Sequence, residues 1–270
     1  MILKILLLSD ANSVHTLRWA ESLKIKNFNL LLFSFFEPNS QSRKKYKELG
    51  INVISPNLRI KIKNLREPNL TKIKYLSSIL LLRKSIKNFQ PKFIHAHYAS
   101  SYGILAFLSR FKPFILSVWG SDIYDFPYKN FINKFLIKRI INSANIVCST
   151  SNAMKKIIKD EYGRTDVKII PFGIDFNFFK PNKILNKTFT VGTIKSIEQH
   201  NGIDCFLDAA KLIIHDYKKD MKFLIVGDGS LKKDMQQKAI DLGLEEKVEF
   251  TGFIPHDDVK KYYFYLSIFI

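Results

Sequence analysis

Apolar runs of strand length alternate with segments of helical period along the whole of this chain. "LKILLLS" is followed by "SVHTLRWAESLKI", "NLLLFSF" by "SRKKYKELG", "FIHAH" by "SSYGILAFLSR", "FILSVWG" by "NFINKFLIKRII" and "NIVCST" by "NAMKKIIKDEYG", and "VKIIPF" closes the series. Short, continuously apolar strands separated by amphipathic helices predict a parallel sheet covered on both faces. The segment "PFGIDFNFFKPNKILNK" then interrupts the alternation with Pro171, Gly173 and Pro181. Beyond it the pattern resumes as "FTVGTI", "GIDCFLDAAKLIIHDY", "KFLIVGDGS", "LKKDMQQKAIDLG", "KVEFTGF", "PHDDVKKYYFY" and "LSIFI". The expected fold class is α/β, with two doubly wound Rossmann-like domains over residues 1–180 and 181–270. The second should hold four strands and three helices, with one sheet edge and part of a face open. Ligands of such sheets bind outside the carboxyl ends of the strands, so a cleft between the domains is the expected site.

Composition narrows the picture. With 270 residues and 46% hydrophobic content, the chain can bury a large core. Cys148 and Cys205 lack CxxC spacing and read as two reduced, buried thiols of a cytosolic protein. The apolar start stops at Ser9-Asp10 and "SSILLLRK" is equally short, so neither reads as a signal peptide or membrane span. Net charge is +19, and all of it lies in residues 1–180, where 30 basic residues face 11 acidic; residues 181–270 carry 13 of each. Between Arg43 and Lys92 the basic excess is steepest, with Glu48 and Glu67 the acidic residues there. Such a region attracts an anionic partner. It lacks a nucleic-acid recognition motif, so nucleic acid is not expected. From Arg59 to Lys92, Ile73, Leu76, Leu80 and Ile86 recur at helical spacing beside Lys72, Lys74, Arg83, Lys84 and Lys87. Two readings stand: a helix packed on the sheet with solvated lysines, or a basic surface docking on the anionic inner face of the membrane.

Eight segments then carry a family resemblance in register: "SDANSVHTLRWAESL", "HAHYASSYG", "SVWGSD", "STSNAMKK", "PFGID", "VGTIKSIEQHNGID", "VGDGSLKKDM" and "VEFTGFIPHDDV". Together they resemble a retaining GT-B glycosyltransferase of the group 1, or family 4, class, which builds bacterial surface polysaccharides. The resemblance implies transfer of a sugar from a UDP- or GDP-linked nucleotide sugar to a lipid-linked or growing surface-polysaccharide acceptor, with retention and without a metal or other cofactor. It places the acceptor on the N-terminal domain, with Ser13, His15 and Trp119 as contacts, and the donor on the C-terminal one. It also implies a cytoplasmic protein, peripheral on the inner face of the membrane.

Within that frame, strand alternation puts His95 and His97 on one face. No further ligand neighbours them in sequence, so no metal is expected; His95 reads as core and His97 as a polar contact to sugar or phosphate at the cleft rim. Trp119 stands where many relatives carry His. Asp122 reads either as a carboxylate that orients hydroxyls or takes a proton, or as a helix cap or turn residue. For the donor, the resemblance points to Gly192 and Thr193, the latter at the family's usual Arg position, to Lys195 for the diphosphate and to His200 as a helper. Gly227 and Asp228 sit in a turn whose amides can approach a nucleotide or simply form a tight turn; Phe253 and Ile254 fall where relatives hold the base. The family's EX7E glutamate pair is absent from the 270 residues, so a C-terminally truncated chain of little activity is the expectation. The alternatives are a nucleotide-sugar epimerase of the same fold and an inactive membrane-associated partner of a full-length transferase.

Overall fold

A computed structural model describes residues 2–58, 71–174, 176–180 and 188–270, with the side chains of 71–77 and 256–257 outside the description. The chain forms two compact units, Met1–Phe172 and Gly173–Ile270. Their boundary falls ahead of the expected 180/181, because the Pro- and Gly-bearing segment after Phe172 groups with the second unit.

The first unit alternates strand and helix: β1 Lys4–Leu8, α1 Val14–Ile25, β2 Asn29–Phe33, α2 Ser40–Glu48, β3 Asn52–Ile54, α3 Thr71–Phe89, β4 Phe93–His97, α4 Ile104–Ser109, β5 Phe114–Val118, α5 Ser121–Tyr124, α6 Phe131–Ser143, β6 Ile146–Ser149, α7 Asn152–Tyr162 and β7 Val167–Ile169. Its seven parallel strands run in the order β3-β2-β1-β4-β5-β6-β7, so the winding reverses between β1 and β4. The period of two in β1 divides its side chains cleanly: Leu6 and Leu8 join the core on one face, Ile5 and Leu7 that on the other. Helix starts follow the polar residues ahead of the apolar runs. Asn130 and Ser151 accept the amides of Asn133 and Met154 at the starts of α6 and α7, and Gly163, at φ 75°, ends α7. The unexpected β3 is a three-residue edge strand, too short to show a period.

In α3 the described side chains divide between core and solvent. Ile86 packs against the core while Leu80 is 70% exposed beside exposed Arg83, Lys84 and Lys87. The rest of that basic stretch, residues 59–70 and the side chains of Lys72, Ile73, Lys74 and Leu76, lies outside the described residues. Among the described residues no helix is long and apolar enough to cross a membrane.

In the second unit, β8 Thr190–Ile194, α8 Ile203–Lys211, β9 Lys222–Val226, α9 Lys232–Asp241, β10 Val248–Gly252, α10 His256–Tyr265 and β11 Ile268–Phe269 build a parallel sheet in the order β10-β9-β8-β11. Val191, Phe223 and Ile225 form one core with Ile203, Phe206 and Leu207 of α8 and Ala239 of α9. On the other face a hollow of about 520 Å³ is lined by Leu224, Glu249, Ile254, Tyr262 and Tyr265. Cys148 is buried as expected, but Cys205 is exposed, since it falls on the face of α8 away from that core.

Candidate functional site

The first candidate region lies where the winding of the larger sheet reverses, at the carboxyl ends of β1, β4 and β5. His95 and His97 project to the same side, with ring centroids 4.5 Å apart. His95 Nε2 lies 2.8 Å from Ser117 Oγ, and His97 Nδ1 lies 2.9 Å from Ser9 Oγ, itself 2.7 Å from Thr16 Oγ1. Burial lowers the His95 pKa to about 4; burial, and then the neighbouring His95 and His15, hold His97 well below the usual imidazole value. Both rings are therefore neutral near pH 7. Among the described residues His97 Nε2 is buried with no hydrogen-bond partner.

His97 does not lie at a rim. It is fully buried, because the Trp119 ring packs over it at 4.5 Å and Trp19 at 5.6 Å. What reaches the surface is the layer above it: half-buried Trp119 and His15, the latter stacked on Phe172 at 3.9 Å. Ser13 caps the start of α1 by position, but its hydroxyl makes no capping bond. Tyr98 follows His97 with φ at 74°, a strained backbone for a bulky residue, and opens a π-helical turn over Tyr98–Gly103. Gly103 admits Leu116 there: a Cβ on it would meet Leu116 Cδ1 at 3.0 Å and the Tyr98 carbonyl at 3.3 Å.

Asp122 is also fully buried. Its Oδ2 accepts the Ala99 amide at 2.8 Å, and its Oδ1 accepts those of Trp119 and Gly120 at 3.1 and 2.9 Å. Desolvation raises its pKa and these amides work against the rise. With both oxygens engaged, the carboxylate ties the turn after β5 to the turn after β4. The turn-residue reading fits this geometry, and a direct proton transfer to an acceptor does not; Asp122 positions Trp119 and Tyr98.

The second candidate region stands at the carboxyl ends of β8 and β9. Two turns, residues 195–198 and 227–231, interlock: Lys195 N donates to Val226 O at 3.0 Å, Ile197 N to Asp228 O at 3.0 Å and Leu231 N to Ile197 O at 3.1 Å. Gly227, at φ 147°, faces the Lys195 carbonyl, and Gly229 faces the backbone of Ile197, so closely that a Cβ on either would collide. Glu198 accepts the Ser230 amide and hydroxyl at 3.0 and 2.6 Å, which pins the two turns together. Asp228 Oδ1 accepts the Gly229 amide at 2.8 Å, and Lys232 Nζ lies 3.7 Å from Asp228 Oδ2. Around this frame the side chains of Lys195 and His200 are exposed. An antiparallel bridge between Gly227 and Gly252 brings the next turn alongside, with Phe253 77% exposed and Ile254 half-buried.

Thus Lys195, Gly227, Asp228, Phe253 and Ile254 come together at one end of the smaller sheet, with His200 on the short helical turn that follows. Gly192 and Thr193 do not reach the surface. Gly192 leaves room for the Leu266 side chain, and Thr193 is 2% exposed on the alternate face of the strand. Glu198 and Lys232 were not singled out from the sequence. The i,i+4 spacing of Asp228 and Lys232 is a local signal for the lysine, whereas nothing local marks Glu198, whose partner lies 32 residues away.

Comparison with known proteins follows the same division. Residues 4–151 match the family described as glycosyl transferase 4-like, and residues 175–270 that described as glycosyl transferases group 1. The chain is 23% identical over 205 residues to the putative teichuronic acid biosynthesis glycosyltransferase TuaC of Bacillus subtilis, covering 72% of this chain and 50% of that protein. It is 21% identical over 208 residues to alpha-monoglucosyldiacylglycerol synthase of Streptococcus pneumoniae, covering 68% and 47%. The chain therefore spans about half the length of these curated relatives. Among solved structures, sucrose-phosphate synthase of Thermosynechococcus elongatus superposes with a TM-score of 0.77 at 14% identity, covering 99% of this chain and 74% of that one. Anabaena HepE in complex with UDP and glucose gives 0.69 at 18%, covering 99% and 73%. At these identities the structural likeness establishes the GT-B fold, and the family matches along nearly the whole sequence establish the rest: the chain belongs to the group 1, or family 4, class of glycosyltransferases.

Proposed function

We propose that the second unit takes a UDP- or GDP-linked sugar at the interlocked turns carrying Lys195 and Gly227, and that the glycosyl group passes, with retention, to a lipid-linked or growing surface-polysaccharide acceptor held by the first unit. The observation that carries this reading is the pair of glycines locked against the 195–198 backbone beside an exposed lysine. Such a turn lets a nucleotide diphosphate approach main-chain amides and supplies a cation. As the bond from the anomeric carbon to the diphosphate oxygen breaks, the leaving group gains negative charge that a fixed ammonium stabilises. Phe253 and Ile254 are the apolar contacts for the base, and His200 is a second polar contact to the diphosphate. In the first unit, Ser13, His15 and Trp119 form the acceptor surface. His97 lies beneath that surface, packed under the Trp119 ring, and supports it from below, while Asp122 keeps the turn after β5 in place.

Two comparisons lend support: the Anabaena neighbour binds UDP and glucose, and the Bacillus relative is described as acting in teichuronic acid biosynthesis. They favour transfer over epimerisation. The +19 charge of the early part of the chain adds a reason to expect an anionic inner-membrane surface as the place of action, with the protein cytoplasmic and peripheral. Calorimetric titration of the chain with UDP and GDP tests the donor half directly. Lys195→Ala should weaken nucleotide binding by about 1.5–3 kcal/mol, the worth of a charge-assisted contact. Affinity unchanged by that substitution would move the diphosphate site elsewhere.

A further inference from the structure

A different surface of the first unit carries aromatic side chains that no core receives. The buried positions of α6, namely Asn133, Ile137, Ile140 and Ile141, face inward. Its opposite face presents Phe131, Ile132 and Phe135, which are 82%, 61% and 62% exposed, and the segment before it adds exposed Tyr124 and Tyr128. Contiguous apolar exposure of this kind on a soluble surface marks an interaction site. One turn further along the same face stand Lys138 and Arg139, both exposed, with Lys129 and Lys134 alongside. Residues 124–143 contain four basic residues and one acidic, exposed Asp125, and Lys134 is ion-paired with Glu161 at 2.7 Å, which leaves Lys129, Lys138 and Arg139 to give the patch its positive excess. The Arg139 guanidinium sits 5.8 Å from the Phe135 ring, so charge and aromatic surface form one patch.

Topology gives the patch its place. The turn at the carboxyl end of β5 leads into α5 and then α6, and α6 runs back towards the start of β6. The first residues of α6 therefore lie at the carboxyl end of the sheet, as do His97 and Trp119.

We propose that the exposed start of α6 is an insertion surface for an anionic bilayer: Phe131, Ile132 and Phe135 enter the boundary between headgroups and acyl chains, and Lys129, Lys138 and Arg139 meet lipid phosphates. Charge selects this occupant. A second copy of the chain docked face to face on the patch would set like cations against each other, whereas an anionic leaflet offers an apolar layer and a negative surface at once. The existence of the patch stands on exposure and charge alone; its use in presenting an acceptor rests on the lipid-linked acceptor proposed above.

Vesicle flotation with the full chain tests it, comparing phosphatidylcholine with mixed phosphatidylcholine–phosphatidylglycerol vesicles at low and high salt. Binding should require the anionic lipid and weaken with salt. Phe131→Ser/Phe135→Ser and Lys138→Glu/Arg139→Glu should each reduce it by about tenfold or more, with circular dichroism unchanged because these side chains are exposed. Arg83→Glu/Lys84→Glu/Lys87→Glu separates this surface from α3. Absence of binding, equal binding to neutral vesicles, insensitivity to the α6 variants, or loss through the α3 variant alone would each overturn the proposal. So would a dimer in analytical ultracentrifugation that the Phe131→Ser/Phe135→Ser variant dissolves while vesicle binding persists. UDP titration of the same variants reads the donor site independently, so failure of one reading leaves the other standing.

Discussion

His95 and His97 show how much a position's surroundings decide about a residue. In the unfolded chain each titrates near 6.5, but in the fold burial brings His95 to about 4 and His97 well below its usual value. Between those two limits the unfolded chain binds more protons than the folded one, so stability is complete above about pH 6.5 and falls as pH drops towards 4. His95 alone should account for up to about 3 kcal/mol of that loss. Urea denaturation at a series of pH values should show the decline, and His95→Asn, which cannot titrate, should flatten it. A slope identical in the two proteins would mean that other groups drive it. The one-residue spacing of the two histidines made their shared face legible in the sequence. Their burial was not, since the indoles that cover His97 come from α1 and from the turn after β5.

Among elements, the two interlocked turns of the second unit make the sharpest demand. The GxG of "VGDGS" is weak as a motif, being compatible with any tight turn. The fold gives each glycine a distinct reason, because each meets the backbone of the turn after β8. Gly227→Ala combines a backbone angle unsuited to a side chain with a collision against the Lys195 carbonyl. It should destabilise the protein by about 1–3 kcal/mol and abolish nucleotide binding, whereas Lys195→Ala should weaken binding without loss of stability. Thermal melts and UDP titration of the two variants check the contrast, and a Gly227→Ala protein that melts and binds like the parent would refute it. Strand and helix assignments were legible wherever a run was long enough to show its period. β3 was too short for that, and the π-helical turn at Tyr98 has no periodic signature. Gly192 and Thr193 looked like donor contacts because a motif fixes only the position along a strand; here both faces of that strand are covered.

At the scale of the molecule, the two-unit α/β organisation followed from a repeated alternation, a long-range pattern that survives local error. The boundary was displaced because Pro and Gly show where regular structure stops, but the contacts made afterwards decide which unit a connecting segment joins. Charge follows the division: the unit up to Phe172 holds the whole excess of +19 and the other has none. The exposed apolar face of α6 was hidden in the sequence, since helical period predicts that one face is covered without saying which apolar residues remain outside. The aromatic layer over His97 has an optical consequence as well. The chain contains two tryptophans, and both indoles lie against that imidazole. The tryptophan emission of these 270 residues, excited at the red edge of the absorption band where tyrosine does not absorb, thus originates from one spot in the first unit. A sugar seated on Trp119 should shift that emission and restrict its quenching by acrylamide; a spectrum unchanged by saturating sugar would remove Trp119 from the acceptor surface.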